Sequence, residues 1–310
     1  MSGAPDETIR IRRDDLDGIR AIAVFAILLF HAGVSFLPGG YIGVDIFFVL
    51  SGYLITHLLI KDLNSPKFSA AAFYAKRFSR LLPAAVTTII VTLLISKFLI
   101  PDSMLKNVFL SSVASIFYVS NIFFWMDSGY FSDEAITKPL LHMWSLSVEE
   151  QFYLIYPLLL WGSYKTKGIQ LVKYVVLLST LLSFLLCVYL TANYPSSAYY
   201  MMPSRFWELG VGALLILFNV VDLDDRPSHS RLPMAVGLLS MVGIILCIII
   251  YDEETAFPGY AALFPVLCTA LLIWSSSRAL PVQRFLSLTP LVFTGRISYS
   301  LYLVHWPVVV

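Results

Sequence analysis

Arg20-Ala-Ile-Ala-Val-Phe-Ala-Ile-Leu-Leu-Phe-His31 is the stretch that decides the fold class of this chain. An unbroken apolar run is closed at each end by an ionisable side chain. Extended over residues 18–36, it reads as a membrane helix, since about 20 residues at 1.5 Å each cover a hydrocarbon layer. A charge or an imidazole at that depth costs several kcal/mol, which makes Arg20 and His31 functional candidates. A second island of this kind is Trp144-Ser-Leu-Ser-Val-Glu149-Glu150-Gln151, directly ahead of the apolar run Phe152-Tyr-Leu-Ile-Tyr-Pro-Leu-Leu-Leu-Trp161.

The rest of the chain agrees. Hydrophobic residues make up 58% of the 310 and charged residues 13%, with a mean hydropathy of +0.79. Those values exclude an ordinary soluble domain. A net charge of +1 gives no footprint for nucleic acid. Cys187, Cys247 and Cys268 all lie in apolar runs and read as small core residues, not as ligands or disulfides. The first apolar run continues into a full span, so no cleavable signal peptide is expected. The chain stops inside the apolar run Leu301-Tyr-Leu-Val-His305-Trp-Pro-Val-Val-Val310, which reads as a fragment of a longer protein.

Apolar segments cover residues 18–36, 42–60, 81–100, 106–125, 146–163, 171–191, 205–220, 232–251, 260–275 and 291–310. The expected fold is an all-α polytopic transmembrane bundle of about nine or ten membrane helices. Residues 1–17 are expected to form a cytoplasmic tail and residues 18–310 one membrane domain.

Lys and Arg set the orientation. With Arg10, Arg12 and Arg13 the N-terminus is expected in the cytoplasm. Further basic clusters are Lys61, Lys67, Lys76, Arg77 and Arg80; Lys165, Lys167 and Lys173; Arg226 and Arg231; and Arg278, Arg284 and Arg296. The acidic run Asp252-Glu253-Glu254 falls outside. Three apolar segments separate the second cluster from the third, and an odd number of crossings cannot return the chain to the same side. Segment 106–125, Ser-rich and flanked by Asp102 and Asp127, is therefore expected to be re-entrant or interfacial. The alternative is that the charge rule fails at Lys165 and Lys167.

Each ionisable group has a functional and a structural reading. Arg20 and His31 lie eleven residues apart, about 16 Å along one helix face, which suits a ligand reaching from the inner surface toward mid-membrane. Structurally, Arg20 is a snorkelling anchor and His31 a core histidine. Arg77 and Arg80, three residues apart, can fork one phosphate, or anchor lipid headgroups. Glu149 and Glu150 point to different sides of a helix, so only one is expected to face a given site, where it would orient an imidazole. Otherwise both are solvated at the interface. Arg205 and Glu208 can serve a site or simply pair with each other. Tyr299, Tyr302 and His305 form a stripe in which the tyrosines read as packing or hydrogen-bonding groups. His57, His142 and His229 are expected to carry no function. No histidine or cysteine spacing suits a metal.

These same residues carry a resemblance. Asp15-Leu-Asp-Gly18-Ile-Arg20-Ala-Ile-Ala with His31 resembles the opening of the family-three integral-membrane acyltransferases. So do Gly39-Gly-Tyr-Ile-Gly-Val-Asp45-Ile-Phe-Phe-Val-Leu-Ser51-Gly-Tyr-Leu-Ile-Thr56 and Phe73-Tyr-Ala-Lys-Arg77-Phe-Ser-Arg80-Leu-Leu-Pro83. Leu141-His-Met-Trp144-Ser-Leu-Ser-Val-Glu149-Glu-Gln-Phe-Tyr153, Arg205-Phe-Trp-Glu208-Leu-Gly-Val-Gly212 and Gly295-Arg-Ile-Ser-Tyr-Ser-Leu-Tyr302-Leu-Val-His305-Trp-Pro307 continue the likeness in order.

The resemblance implies transfer of an acyl group, usually acetyl, from cytoplasmic acyl-CoA to a hydroxyl of a surface carbohydrate such as O-antigen or exopolysaccharide. Acetyl-CoA is then a donor substrate, and no bound cofactor or metal is implied. Its similar members often carry a C-terminal extracytoplasmic SGNH-like domain. On this reading Arg20, Arg77 and Arg80 bind the donor. His31 is the central catalytic residue, as general base or transient acyl carrier, with Glu149 or Glu150 orienting it and Asp45 as a further catalytic residue, all in a bacterial inner (plasma) membrane. Trp144, Ser147, Arg205, Glu208, Tyr302 and His305 line the acceptor side of the cavity. The competing classes are a proton-coupled transporter, with carboxylates and histidines as a relay, and a scaffold of glycan assembly in which His31 is dispensable.

Overall fold

The computed structural model describes residues 13–63, 69–128, 138–221 and 229–310. Arg10, Arg12, Lys67 and Arg226 lie outside the described residues. Every regular element among the described residues is helical: α1 (Asp14–His31), a 3-10 turn (Gly40–Ile42), α2 (Gly43–Leu63), α3 (Ala70–Leu99), α4 (Asp102–Ile116), α5 (Ser120–Met126), α6 (Met143–Asn193), α7 (Pro195–Tyr200), α8 (Met202–Leu217), α9 (Arg231–Ile250), α10 (Leu263–Arg278), α11 (Leu280–Leu286) and α12 (Thr289–Val309). The all-α expectation holds. Residues 14–17, expected as tail, form the first turn of α1, with Asp15, Leu16 and Asp17 buried.

Among the described residues four helices are long and apolar enough to cross a membrane by themselves: Gly40–Asp62, Ala71–Leu99, Met143–Asn193 and Arg231–Ile250. Other expected spans are present as helices that miss this measure. α1 opens on Asp14, Asp15, Asp17 and Arg20, and α8 and α10 have 16 residues each. On α3 and α6 the leucines turned outward, such as Leu94, Leu178, Leu182 and Leu185, are exposed. In a multi-pass membrane protein that surface faces lipid.

The two ends of the bundle differ in charge. At one, Arg13 bonds Ser276 Oγ (3.4 Å), Arg296 bonds Asp14 (3.2 Å) and Arg278 bonds the Val220 carbonyl (2.8 Å). Most of the basic residues gather at this end. At the other, the Gly39 N–H donates to the Ile248 carbonyl (2.9 Å), Tyr41 to the Asp252 carbonyl (3.2 Å) and Trp306 Nε1 to the Lys138 carbonyl (2.9 Å). Asp252, Glu253 and Glu254 lie there, with Lys97, Lys106 and Lys138 as the basic exceptions.

Segment 106–125 is a broken hairpin. α4 lies back against α3 and ends at Tyr118, which adopts the left-handed conformation (φ 53°). The Tyr118 N–H bonds the Ser115 carbonyl and the Val119 N–H bonds the Ala114 carbonyl, the paired bonds that close a helix with a left-handed residue. α5 then returns along the start of α6. Ser120 bonds Ser147 (2.7 Å), Gln151 bonds Asn121 (2.8 Å) and the Tyr118 carbonyl (3.0 Å), and Asp127 reaches Lys138 (2.6 Å). The segment descends to the level of Gln151 and comes back, with α6 and α7 satisfying its polar groups. Irregular backbone at such depth needs protein cover of this kind.

α6 also reverses. Lys167 (φ −136°, ψ 21°) and Gly168 (φ 68°, ψ −162°) are non-helical, and the Gly168 conformation is open to glycine alone. Residues 143–166 and 169–193 are antiparallel arms that embrace α8: Phe152 packs on Phe206, while Ser183 accepts the Trp207 N–H. α2 and α8 touch backbone to backbone, because a methyl group on Gly52 would overlap the Leu209 carbonyl and one on Gly212 the Val49 carbonyl. Small residues permit such approach where no hydrophobic effect drives helices together. Gly295 of α12 meets the Asp17 carbonyl of α1 in the same way.

Candidate active site

α1, α2, α3, α6 and α12 enclose a cavity of about 600 Å³ that opens at the basic end. Its mouth carries Arg20, Lys76, Arg77, Arg80 and Arg296, with Asp62 the acidic exception. Its deeper wall carries Ser51, Ser145, Glu149, Tyr153 and Tyr302. A concave site of this size with few convergent polar groups is the usual form of a ligand pocket.

The three cations expected to bind the donor all line this cavity. Arg20 pairs with Asp17 one turn below (3.1 Å). Arg77 lies over the Tyr153 ring, 3.2 Å from its centroid, with Nε 3.6 Å from Glu150. Arg80, exposed on the same face of α3, makes no ion pair among the described residues.

Glu149 and Glu150 both face the cavity, contrary to the expectation that only one would. Neighbours on a helix are separated by about 100°, and the cavity is wide enough to see both. Glu149 accepts from Ser51 and from Tyr153, and Glu150 faces Arg77. Tyr153 stands four residues beyond Glu149, on the same helical face, a spacing that could have drawn attention to it.

His31 is the last helical residue of α1. Gly33, at φ 76°, ends the helix: its N–H bonds the Phe30 carbonyl, and the Val34 N–H bonds the Leu29 carbonyl. His31 Nδ1 lies 3.1 Å from His305 Nε2, and the Trp306 ring stands edge-on to His31 at 4.7 Å. Neither glutamate reaches His31, so the orienting contact expected from Glu149 or Glu150 is not made. A histidine from α12 makes it instead. His142, set aside in the sequence, is buried beside this pair. Its Nε2 bonds the Leu303 carbonyl (3.0 Å), and its ring centroid is 5.4 Å from that of His305. Tyr302 separates the histidines from the cavity: its hydroxyl bonds Ser145 (2.6 Å) and the His142 carbonyl (3.1 Å).

Asp45, Arg205 and Glu208 form a separate cluster. Arg205 Nη1 bonds Asp45 (3.2 Å) and Glu208 (2.5 Å), and Phe48, Trp144, Tyr199 and Phe257 surround the guanidinium at 5.5–5.7 Å. All three are shut away from the cavity. The expected cavity positions of Arg205 and Glu208, and the expected place of Asp45 in the catalytic site, are thus corrected. A guanidinium inside the bundle draws both carboxylates to itself, because a buried charge must be paired. Trp144 and Ser147 are also turned away. Trp144 packs on Tyr199 and Tyr200, and Ser147 is taken by Ser120. Their neighbour Ser145 lines the cavity in their place. Tyr302 lines it as expected, and His305 lies one step behind.

The model of the family described as "Acyltransferase domain" matches residues 13–310. Among curated proteins, the chain is 35% identical over 305 residues to the peptidoglycan O-acetyltransferase OatA of Listeria monocytogenes serovar 1/2a, covering 95% of this chain and 49% of that protein. It is 33% identical over 311 residues to the O-acetyltransferase OatA of Staphylococcus aureus strain NCTC 8325, covering 95% and 50%. The chain thus spans about half the length of these curated relatives. No solved structure matches it. With the match running from Arg13 to the last residue, through every helix that builds the cavity, the chain belongs to the acyltransferase domain family.

Proposed function

We propose that this chain is the membrane core of an O-acyltransferase that moves an acyl group, acetyl by the names of the relatives, from acyl-CoA to a hydroxyl of a cell-wall glycan. The observation that carries this reading is the cavity, with cations at its mouth and hydroxyl and carboxylate groups in its depth. Coenzyme A brings phosphates, which suit Arg20, Arg77, Arg80 and Arg296. Its thioester arm suits the deeper wall of Ser51, Tyr153 and Tyr302. The basic end faces the cytoplasm by the positive-inside rule, so the donor enters there and the N-terminus is cytoplasmic. The histidines lie beyond Tyr302, on the side from which a glycan hydroxyl comes.

His31 is the central group. As general base it takes the proton of the acceptor hydroxyl. The oxygen attacks the thioester carbonyl, the C–O bond forms, the C–S bond breaks, and the coenzyme A thiolate takes the proton back. As transient carrier, its ring nitrogen attacks the thioester carbonyl and the C–S bond breaks to release the coenzyme A thiolate; the acceptor oxygen then takes the acyl group as the C–N bond breaks, and the hydroxyl proton ends on the thiolate. Peptidoglycan is the favoured acceptor over O-antigen, because peptidoglycan is in the name of the Listeria relative. A whole protein, including any C-terminal SGNH-like domain, falls under the same proposal.

Mass spectrometry of wall glycan from cells with and without the full-length gene tests this. The expected difference is one acetyl group per modified sugar, restored by the wild-type gene and not by His31→Ala. Identical glycan from both strains, with the protein made and inserted, overturns the reading.

A further inference from the structure

We propose that His305 is a positioning residue that fixes the tautomer of His31 and leaves its Nε2 free for the reaction. The inference deepens the acyltransferase reading and rests on it.

Hydrogen-bond direction along the pair is determined by its far end. His305 Nδ1 lies 2.6 Å from the Tyr302 carbonyl, one turn earlier on α12. A carbonyl can only accept, so His305 Nδ1 carries the proton. In a neutral imidazole the other nitrogen is then an acceptor. His305 Nε2 therefore accepts, and His31 Nδ1, 3.1 Å away, donates. One proton runs from His31 toward His305 and the next from His305 toward the helix backbone. His31 Nε2 is left with its lone pair and no hydrogen bond among the described residues.

That nitrogen is the one both chemical routes need. A base takes a proton on a lone pair, and an acyl carrier bonds carbon through one. In many enzymes a carboxylate fixes the catalytic imidazole. Here the available carboxylates are engaged elsewhere: Glu149 with Ser51 and Tyr153, Glu150 with Arg77, Asp45 with Arg205. A second histidine anchored to a main-chain carbonyl takes that place without adding a buried charge. His305 is itself confined. It is buried, its ring lies end to end with that of His31 with 27° between planes, and the ring of His142 stands across it at 77°.

The test uses the full-length protein in membranes, with acetyl-CoA of known concentration and peptidoglycan as acceptor. His305→Phe keeps the ring volume and removes the acceptor. His305→Gln can return an acceptor oxygen. The expected result is a fall in kcat of at least about tenfold for His305→Phe, with KM for acetyl-CoA within twofold, and partial recovery in His305→Gln. Nitrogen-15 spectra of labelled histidine should show His31 protonated at Nδ1 in the wild type and shifted toward Nε2 in His305→Phe. Both variants within twofold of wild type, while His31→Ala is inactive, would overturn the role of His305 and leave the acyltransferase reading standing. An active His31→Ala would overturn that reading instead. If the variants fail to fold, the wild-type spectrum decides: His31 protonated at Nε2 sinks the inference.

Discussion

Arg77 lies over the Tyr153 ring, its guanidinium carbon 3.2 Å from the ring centroid, while the same tyrosine donates to Glu149. The contact ties the cationic mouth of the cavity to its carboxylate wall. A cation stacked on an aromatic face in a partly dry site is worth about 0.5–2 kcal/mol. Tyr153→Leu should therefore weaken acetyl-CoA binding several-fold, while Tyr153→Phe, which keeps the face, should bind nearly as wild type. Calorimetric titration of the purified protein with acetyl-CoA checks both. Equal losses in the two variants would assign the effect to the hydroxyl and Glu149.

Arg77→Ala and Arg80→Ala should each weaken the donor. A charge-assisted contact to phosphate contributes about 1.5–3 kcal/mol. Arg80 is exposed and outside any ion pair among the described residues, so its loss should depend strongly on salt. Arg77, stacked and half-buried, should depend on salt less. Donor affinity at two ionic strengths reads the difference, and unchanged affinity in both variants would make these arginines lipid anchors.

The cluster of Asp45, Arg205 and Glu208 belongs to the frame. Arg205→Ala leaves two buried carboxylates without a counter-charge, a change that costs about 3–5 kcal/mol when one partner of a buried pair is removed. Thermal unfolding in detergent should show a marked fall in Tm for Arg205→Ala and a smaller one for Asp45→Asn. A normal Tm with lost activity in Arg205→Ala would move the cluster into the substrate path.

Two glycines should respond in opposite directions to one added methyl group. Gly52→Ala drives Cβ into the Leu209 carbonyl, and overpacking of this kind costs about 1–3 kcal/mol. Gly162→Ala, in the first arm of α6, meets open space and should stabilise by about 0.5–1 kcal/mol through helix propensity. Paired melting curves decide it. A stable Gly52→Ala would mean that α2 and α8 separate more readily than their packing implies.

The hairpin of α4 and α5 predicts that its two flanks share a side of the membrane. In a background lacking Cys187, Cys247 and Cys268, Asp102→Cys and Asp127→Cys should both react with a membrane-impermeant maleimide on intact cells. Lys167→Cys should react only after permeabilisation. Labelling of Asp102→Cys without Asp127→Cys would show that the segment crosses.

The sequence alone determined the helical fold of a multi-pass membrane protein and the sorting of most basic residues to one end, while the turning back of residues 106–125 short of a crossing stays an expectation that the labelling experiment tests. These are properties of composition and spacing: apolar length matches the bilayer, and crossings must alternate. Arg20, Arg77 and Arg80 were also legible as one group of cations, since helical spacing and charge marked them, whereas Tyr302 read from its spacing as a packing or hydrogen-bonding group and its place on the cavity wall came from the tertiary structure. Tertiary structure alone decided who partners whom. That His31 meets His305 across 274 positions, and not Glu149, follows from the close passage of α1 and α12 that Gly295 allows. That Asp45, Arg205 and Glu208 close on one another, away from the cavity, follows from the contact of α2 with α8. His142 reads as a loop residue because its burial comes from α12, far along the chain. One-dimensional pattern fixes which residues are costly in a membrane. Only packing determines which neighbour offsets that cost.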